Sequence, residues 1–163
     1  IIIFADPSKA TGHDYFALAL SGIDENGNMI LIDSFSENKT HRKLIADQIK
    51  NWQRKYNVER TFIETNGEIG KGFYNDCINS EIPVSAWYSR NNKFERIMAN
   101  YETITNRVFF QDNVNNRNFV KQIYQFKQDA EKENIPDDNI DCLNNAIIAY
   151  KSLYKILGGD FGD

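Results

Sequence analysis

The sequence predicts a mixed α/β sheet with helices on both faces. Two observations carry that expectation: three strand-like segments open the chain, and from Thr40 onward helical and strand-like segments alternate. A third bounds it, because 163 residues, 41% hydrophobic and 26% charged, suit one globular domain. A chain of this length buries about 70% of its unfolded surface and needs no staples.

Ile1–Asp6 is an apolar run closed by Asp-Pro, as in a buried strand meeting a turn. Tyr15–Ile23 and Met29–Phe35 flank Asp24-Glu25-Asn26-Gly27-Asn28, a hairpin turn. Thr40 is placed to cap a helix, and Leu44, Ile45, Ile49 and Trp52 follow at helical spacing up to about Tyr56. A strand over Glu59–Glu64, a helix over Ile69–Asn79 and a strand over Pro83–Tyr88 come next. Phe94–Thr105 reads as one helix, Arg107–Gln111 as a short extended piece, and Asn118–Phe126 as a further helix. Lys127–Pro136 is polar and reads as a loop, Asp138–Leu157 as the last helix, and Gly158–Asp163 as a tail.

Several function classes are excluded early. The longest apolar run is too short to span a bilayer, and the start lacks the basic segment of a signal peptide. Cys77 and Cys142 form no CxxC pair, which fits a reducing cytosol. His13 and His41 are solitary, so zinc has no ligand set. Gly67-Glu68-Ile69-Gly70-Lys71-Gly72 lacks the Ser or Thr and the spacing of a nucleotide-binding loop, and reads as a strand-to-helix turn. Without an initiator Met, and with a strand starting at Ile1, the chain is expected to be a fragment of a longer polypeptide. A net charge of −4 argues against a generally basic nucleic-acid coat but is compatible with an acidic metal site.

The acids carry the chemistry. Asp6 ends the first strand, and Glu64 ends the first strand after the helical crossover. If those strands are parallel neighbours, both carboxylates emerge at one sheet edge, where such sheets bind ligands. Taken singly, each also reads as an ordinary strand terminator. Asp138 and Asp141 share one face at the head of the last helix, where an N-cap Asp138 answered by a capping-box Asp141 is the bland alternative. Against it, Cys142-Leu143-Asn144-Asn145-Ala146 must dock on the sheet, which would bury Asp141 among other acids and call for a cation. Hard divalent ions take oxygen ligands of this kind, and two of them about 4 Å apart can clamp a phosphoryl displacement.

The order and setting of Asp6, Glu64 and Asp138-x-x-Asp141 resemble the ribonuclease H-like nucleases. Within them the chain is most similar to the C-terminal nuclease domain of the large terminase subunit of tailed bacteriophages. Phe4-Ala5-Asp6-Pro7 with Gly12-His13-Asp14-Tyr15, then Phe62-Ile63-Glu64-Thr65-Asn66, match its first hairpin and fourth strand. Lys93-Phe94-Glu95-Arg96-Ile97, Asn106-Arg107-Val108-Phe109-Phe110 and Asp137-Asp138-Asn139-Ile140-Asp141-Cys142-Leu143 follow in the family's order, with Cys142 where Ala is usual.

That resemblance implies a ribonuclease H-like, five-stranded mixed sheet, its first three strands antiparallel and the rest joined by parallel crossovers. It implies a single domain over residues 1–163, with an ATPase domain upstream in the same polypeptide. The implied activity is a metal-dependent DNA endonuclease cutting concatemeric viral DNA during packaging, with two divalent cations, Mg²⁺ or Mn²⁺. Asp6 would bridge both ions, Glu64 would hold one and Asp141 the other, with Asp138 auxiliary and Asp137 a solvated neighbour. Double-stranded DNA, the portal protein and the small terminase subunit are the implied partners, in the cytoplasm of a bacterial host. The isolated domain is expected to be monomeric and free of any membrane. Arg90, Lys93 and Arg96 are expected to contact DNA phosphates; Arg117, Lys121 and Lys127 form a sparser group that reads equally as a solvated face. Two other readings stay open: a resolvase or transposase core, and a non-catalytic scaffold.

Overall fold

A computed structural model describes residues 1–8, 15–38, 41–129 and 137–157. The turn at 12–14, Thr40 and the tail from 158 lie outside them, as does most of the 127–136 loop, whose first three residues continue a helix.

Five strands arise where the sequence places them: β1 (Ile2–Asp6), β2 (Phe16–Ile23), β3 (Met29–Glu37), β4 (Arg60–Glu64) and β5 (Ser85–Trp87). A sixth, β6 (Val108–Phe110), corrects the expected five-stranded sheet. It pairs parallel with β3 at the sheet edge, giving the order β5-β4-β1-β2-β3-β6. Three residues with Phe109 and Phe110 largely exposed carry no period-2 signal, so the strand is set by its tertiary neighbours. One of these is buried Asn116, whose Nδ2 donates to the carbonyls of Gln111, Leu31 and Ile32, tying the β6 exit to β3.

β1–β2 and β2–β3 are antiparallel, whereas β1–β4 and β4–β5 are parallel, the arrangement expected from the resemblance. β1 is buried along its whole length, which explains its unbroken apolar run.

The helices are α1 (Arg42–Lys55), α2 (Glu68–Asn79), α3 (Lys93–Ala99), α4 (Tyr101–Arg107), α5 (Val114–Asp129) and α6 (Asp138–Leu157). α3 and α4 replace the single helix expected from Phe94 to Thr105. The break falls at Asn100, whose side chain donates to Asn144 on α6 and accepts from Lys151. Bonds outside the helix thus compete with its continuation.

Two cores sandwich the sheet. Ile3, Ala5, Leu18, Leu20 and Ile63 face α1 and α2, burying Ile45, Ile49, Trp52 and Phe73. Ile2, Phe4, Ala17, Ala19 and Leu31 face the other way, against Ile97, Phe119, Leu143, Ala146 and Tyr150. Alternation along β1 and β4 therefore points Asp6 to the side of Ile2 and Phe4, and Glu64 to the side of Phe62. That is the side on which α6 lies.

Candidate active site

Parallel pairing sets Ala5 opposite Ile63, so Asp6 and Glu64 leave neighbouring strands in step, at one edge and on one face. α6 crosses that face with its first turn at the same edge. Carboxylate oxygens of Asp6, Glu64 and Asp141 consequently lie within 4.8 Å of one another. Asp138 joins from the first position of α6, where its Oδ2 accepts from the Tyr15 backbone N–H at 2.8 Å.

The floor beneath the acids is aromatic. Trp87 meets Phe4 and Phe62 edge to face, its ring centroid 5.8 Å from that of Phe4 and 5.3 Å from that of Phe62. Cys142 fits under the helix, its Sγ 3.5 Å from the Phe4 carbonyl oxygen and 3.7 Å from that of Ala17. Burial pushes that thiol well above its ordinary value, helped by the nearby acids. Cys142 is therefore a small buried packing residue.

Such surroundings are hostile to charge. Burial first, then Glu64 and Asp141, hold the Asp6 carboxyl well above the usual range, with Lys93 opposing. Asp141 is raised by burial and Glu64, although Lys93 and Arg96 pull the other way. Its side chain is 1% exposed and meets a guanidinium, with Arg96 Nη2 at 2.9 Å from both oxygens. It therefore does not serve as a capping-box acid. The helix starts at Asp138, one residue beyond Asp137.

Lys93 and Arg96 sit on the acids. Lys93 Nζ is 2.9 Å from Asp137, 3.6 Å from Asp141 and 3.7 Å from Asp138. Asp137 is thus an ion-pair partner, where the sequence suggests only a solvated neighbour. Arg96 is 10% exposed, and its Nη1 donates to the carbonyl of Asn91, a residue in the left-handed region at φ +69°. Arg90 is exposed on the same loop. In the second basic group, Arg117 is paired with Asp112.

A polar frame that sequence reasoning missed surrounds the acids. Asn66, two residues past Glu64, exchanges hydrogen bonds with Ser89, and the Ser89 hydroxyl donates to Asn145 on α6. Its only sequence signal is the position of Asn66 beside a strand-end acid. Gly70 completes the frame: a Cβ there would lie 2.1 Å from the Glu64 carbonyl oxygen, so α2 approaches the β4 end as only glycine allows.

Above the acids opens a cleft of about 550 Å³, lined by Asp6, Ser8, Glu64, Asn66, Lys93 and Asp138 among others. Asp6 Oδ2 is buried with no hydrogen-bond partner among the described residues. An orphaned carboxylate oxygen beside two further carboxylates is a hard-oxygen donor set, and it fits a divalent cation.

A sequence model described as a terminase RNase H-like domain matches residues 3–150. No curated protein sequence matches the chain. Among solved structures, the yeast mitochondrial Holliday junction resolvase Ydc2 aligns over 96% of this chain and 83% of its own, with TM-score 0.51 and 12% identity. RuvC from Thermus thermophilus aligns over 93% and 96%, with TM-score 0.48 and 11% identity. At 12% identity, the likeness to Ydc2 is one of fold alone.

Proposed function

The chain belongs to the terminase RNase H-like domain family, and from that premise we propose that it is the metal-dependent endonuclease that cuts concatemeric viral DNA during packaging. One observation carries the reading: three carboxylates from β1, β4 and α6 converge within 4.8 Å, with Asp6 Oδ2 unpartnered among the described residues. Burial of like charges destabilises a fold unless a cation compensates it, so a binding scaffold gains nothing from the arrangement.

Asp6 would serve two cations, Mg²⁺ or Mn²⁺, as family membership suggests. Glu64 would hold one, and Asp141 with Asp138 the other. Bound there, they would supply an activated water and charge compensation at the leaving oxygen. The chain's own residues do the rest. Arg96 keeps Asp141 oriented, Gly70 lets the end of β4 present Glu64, and the aromatic floor excludes water from below. Arg90, exposed on the loop before α3, would make a phosphate contact. Double-stranded DNA is the substrate, and an ATPase domain upstream, the portal protein and the small subunit are the partners that family membership suggests.

Supercoiled plasmid incubated with Mn²⁺, Mg²⁺ or EDTA tests this. Nicking and linearisation are expected with Mn²⁺, abolished by EDTA and by Asp6→Asn or Asp141→Asn. Cutting that survives both substitutions would sink the assignment. A folded protein inert with every metal would favour a scaffold.

A further inference from the structure

Lys93 and Arg96 both neutralise the acids, but they are held very differently. Arg96 is 10% exposed, anchored through Nη1 to the Asn91 carbonyl and through Nη2 to both oxygens of Asp141. Lys93 is 37% exposed and lines the cleft. It makes one short contact, to Asp137 at 2.9 Å, and two long ones, to Asp141 at 3.6 Å and Asp138 at 3.7 Å. It is also the first residue of α3, where a helix disfavours positive charge. Only the acids favour a cation there, and a flexible four-carbon stem lets it leave.

We propose that Lys93 is the resident counter-ion of the metal-free acid cluster and that it gives way when a divalent cation enters. This rests on the metal-site reading above. An ammonium within ion-pair reach of Asp138 and Asp141 opposes an incoming divalent ion by charge, and its contacts to both must loosen for their oxygens to turn to the metal. Arg96, fixed from two sides, stays and keeps Asp141 in place. The cluster is thus never a bare set of like charges: one mobile cation is exchanged for another, and the released ammonium faces the cleft.

Calorimetric titration of the chain with Mn²⁺ in the absence of DNA, beside metal-free melting, tests the exchange. Lys93→Gln should bind Mn²⁺ about tenfold more tightly, since a repelling charge some 4 Å away is gone, while its metal-free melting temperature falls. A purely structural defect would move both in the unfavourable direction. Lys93→Met should repeat the opposite-sign pattern, and Lys93→Arg should stay close to wild type. If Lys93→Gln binds Mn²⁺ no more tightly than wild type, the counter-ion exchange is wrong and the metal site stands. If wild type and every variant bind no Mn²⁺, the metal reading falls and takes the exchange with it.

Discussion

The two faces of the sheet are built from different materials. Against α1 and α2 the core is almost entirely apolar, and its buried polar exception, Thr61, accepts a hydrogen bond from Gln53. Against α3 to α6 the core is threaded with amides and acids: Asn100, Asn116, Gln122, Asn139, Asp141, Asn144 and Asn145 are all buried. Apolar packing is non-directional and tolerates small shifts, whereas a buried amide satisfies its bonds in one arrangement only. The dry face therefore supplies stability alone, whereas the polar face, with an apolar core of its own, also holds carboxylates in register.

The largest effect should come from the dry face. Phe73 is fully buried and meets Phe16 edge to face at 5.0 Å. Phe73→Ala should destabilise the domain by about 3–5 kcal/mol in urea unfolding and leave the Mn²⁺ affinity of the folded fraction unchanged. A changed affinity would break the division of labour between the faces.

Gly70→Ala probes the seam, since α2 belongs to the dry face and the Glu64 carbonyl to the site. Forcing them apart should destabilise by about 1–3 kcal/mol and, unlike Phe73→Ala, should also weaken Mn²⁺ binding. Calorimetry separates the two effects.

pH should act through the polar face alone. Asp6 and Asp141 are raised in the folded protein, so between the ordinary carboxyl value and their raised ones the folded state holds more protons than the unfolded. Their contribution is stabilising at low pH and is lost as pH rises through the raised values. Asp24, lowered by bonds from Asn28, works in the opposite sense and must be controlled for. The difference between wild type and Asp6→Asn isolates the site: in EDTA, the melting-temperature gain of the variant should grow as pH rises from about 5 to about 7.5. A gain independent of pH would contradict the shift. Mn²⁺ should reverse the trend for wild type.

Asp141→Asn should have the smallest effect on stability. Relief of repulsion from Glu64 offsets the weakened tie to Arg96, so metal-free melting should stay within about 1 kcal/mol of wild type. The Mn²⁺-induced rise in melting temperature should vanish. A large metal-free loss would show that Asp141 is primarily Arg96's structural partner.

The four acids were legible because each ends a strand or starts a helix, and backbone periodicity alone decides which edge they reach. Helix α6 was legible from its apolar positions. The polar frame was not, since a buried asparagine and a surface one look alike in sequence; Asn100, Asn116 and Asn145 each reach partners 44 to 85 residues away. Lys93 and Arg96 form ion pairs with Asp137 and Asp141 that the sequence did not announce, since a cation that meets a phosphate and one that meets a carboxylate leave the same trace. The extended piece at Arg107–Gln111 was legible, but its place in the sheet as β6 was not, because three residues are too few to show a period.

The contact between Tyr15 and Asp138 spans 123 positions, and Asp6 meets Asp141 across a similar stretch. No local segment can assemble the cluster, which closes only when the last described helix docks across the first strand. During synthesis, a ribosome would therefore carry most of this domain without a competent cutting centre. On the proposed function, DNA-cleaving capacity would arrive late and all at once, and a chain truncated before α6 would lack it.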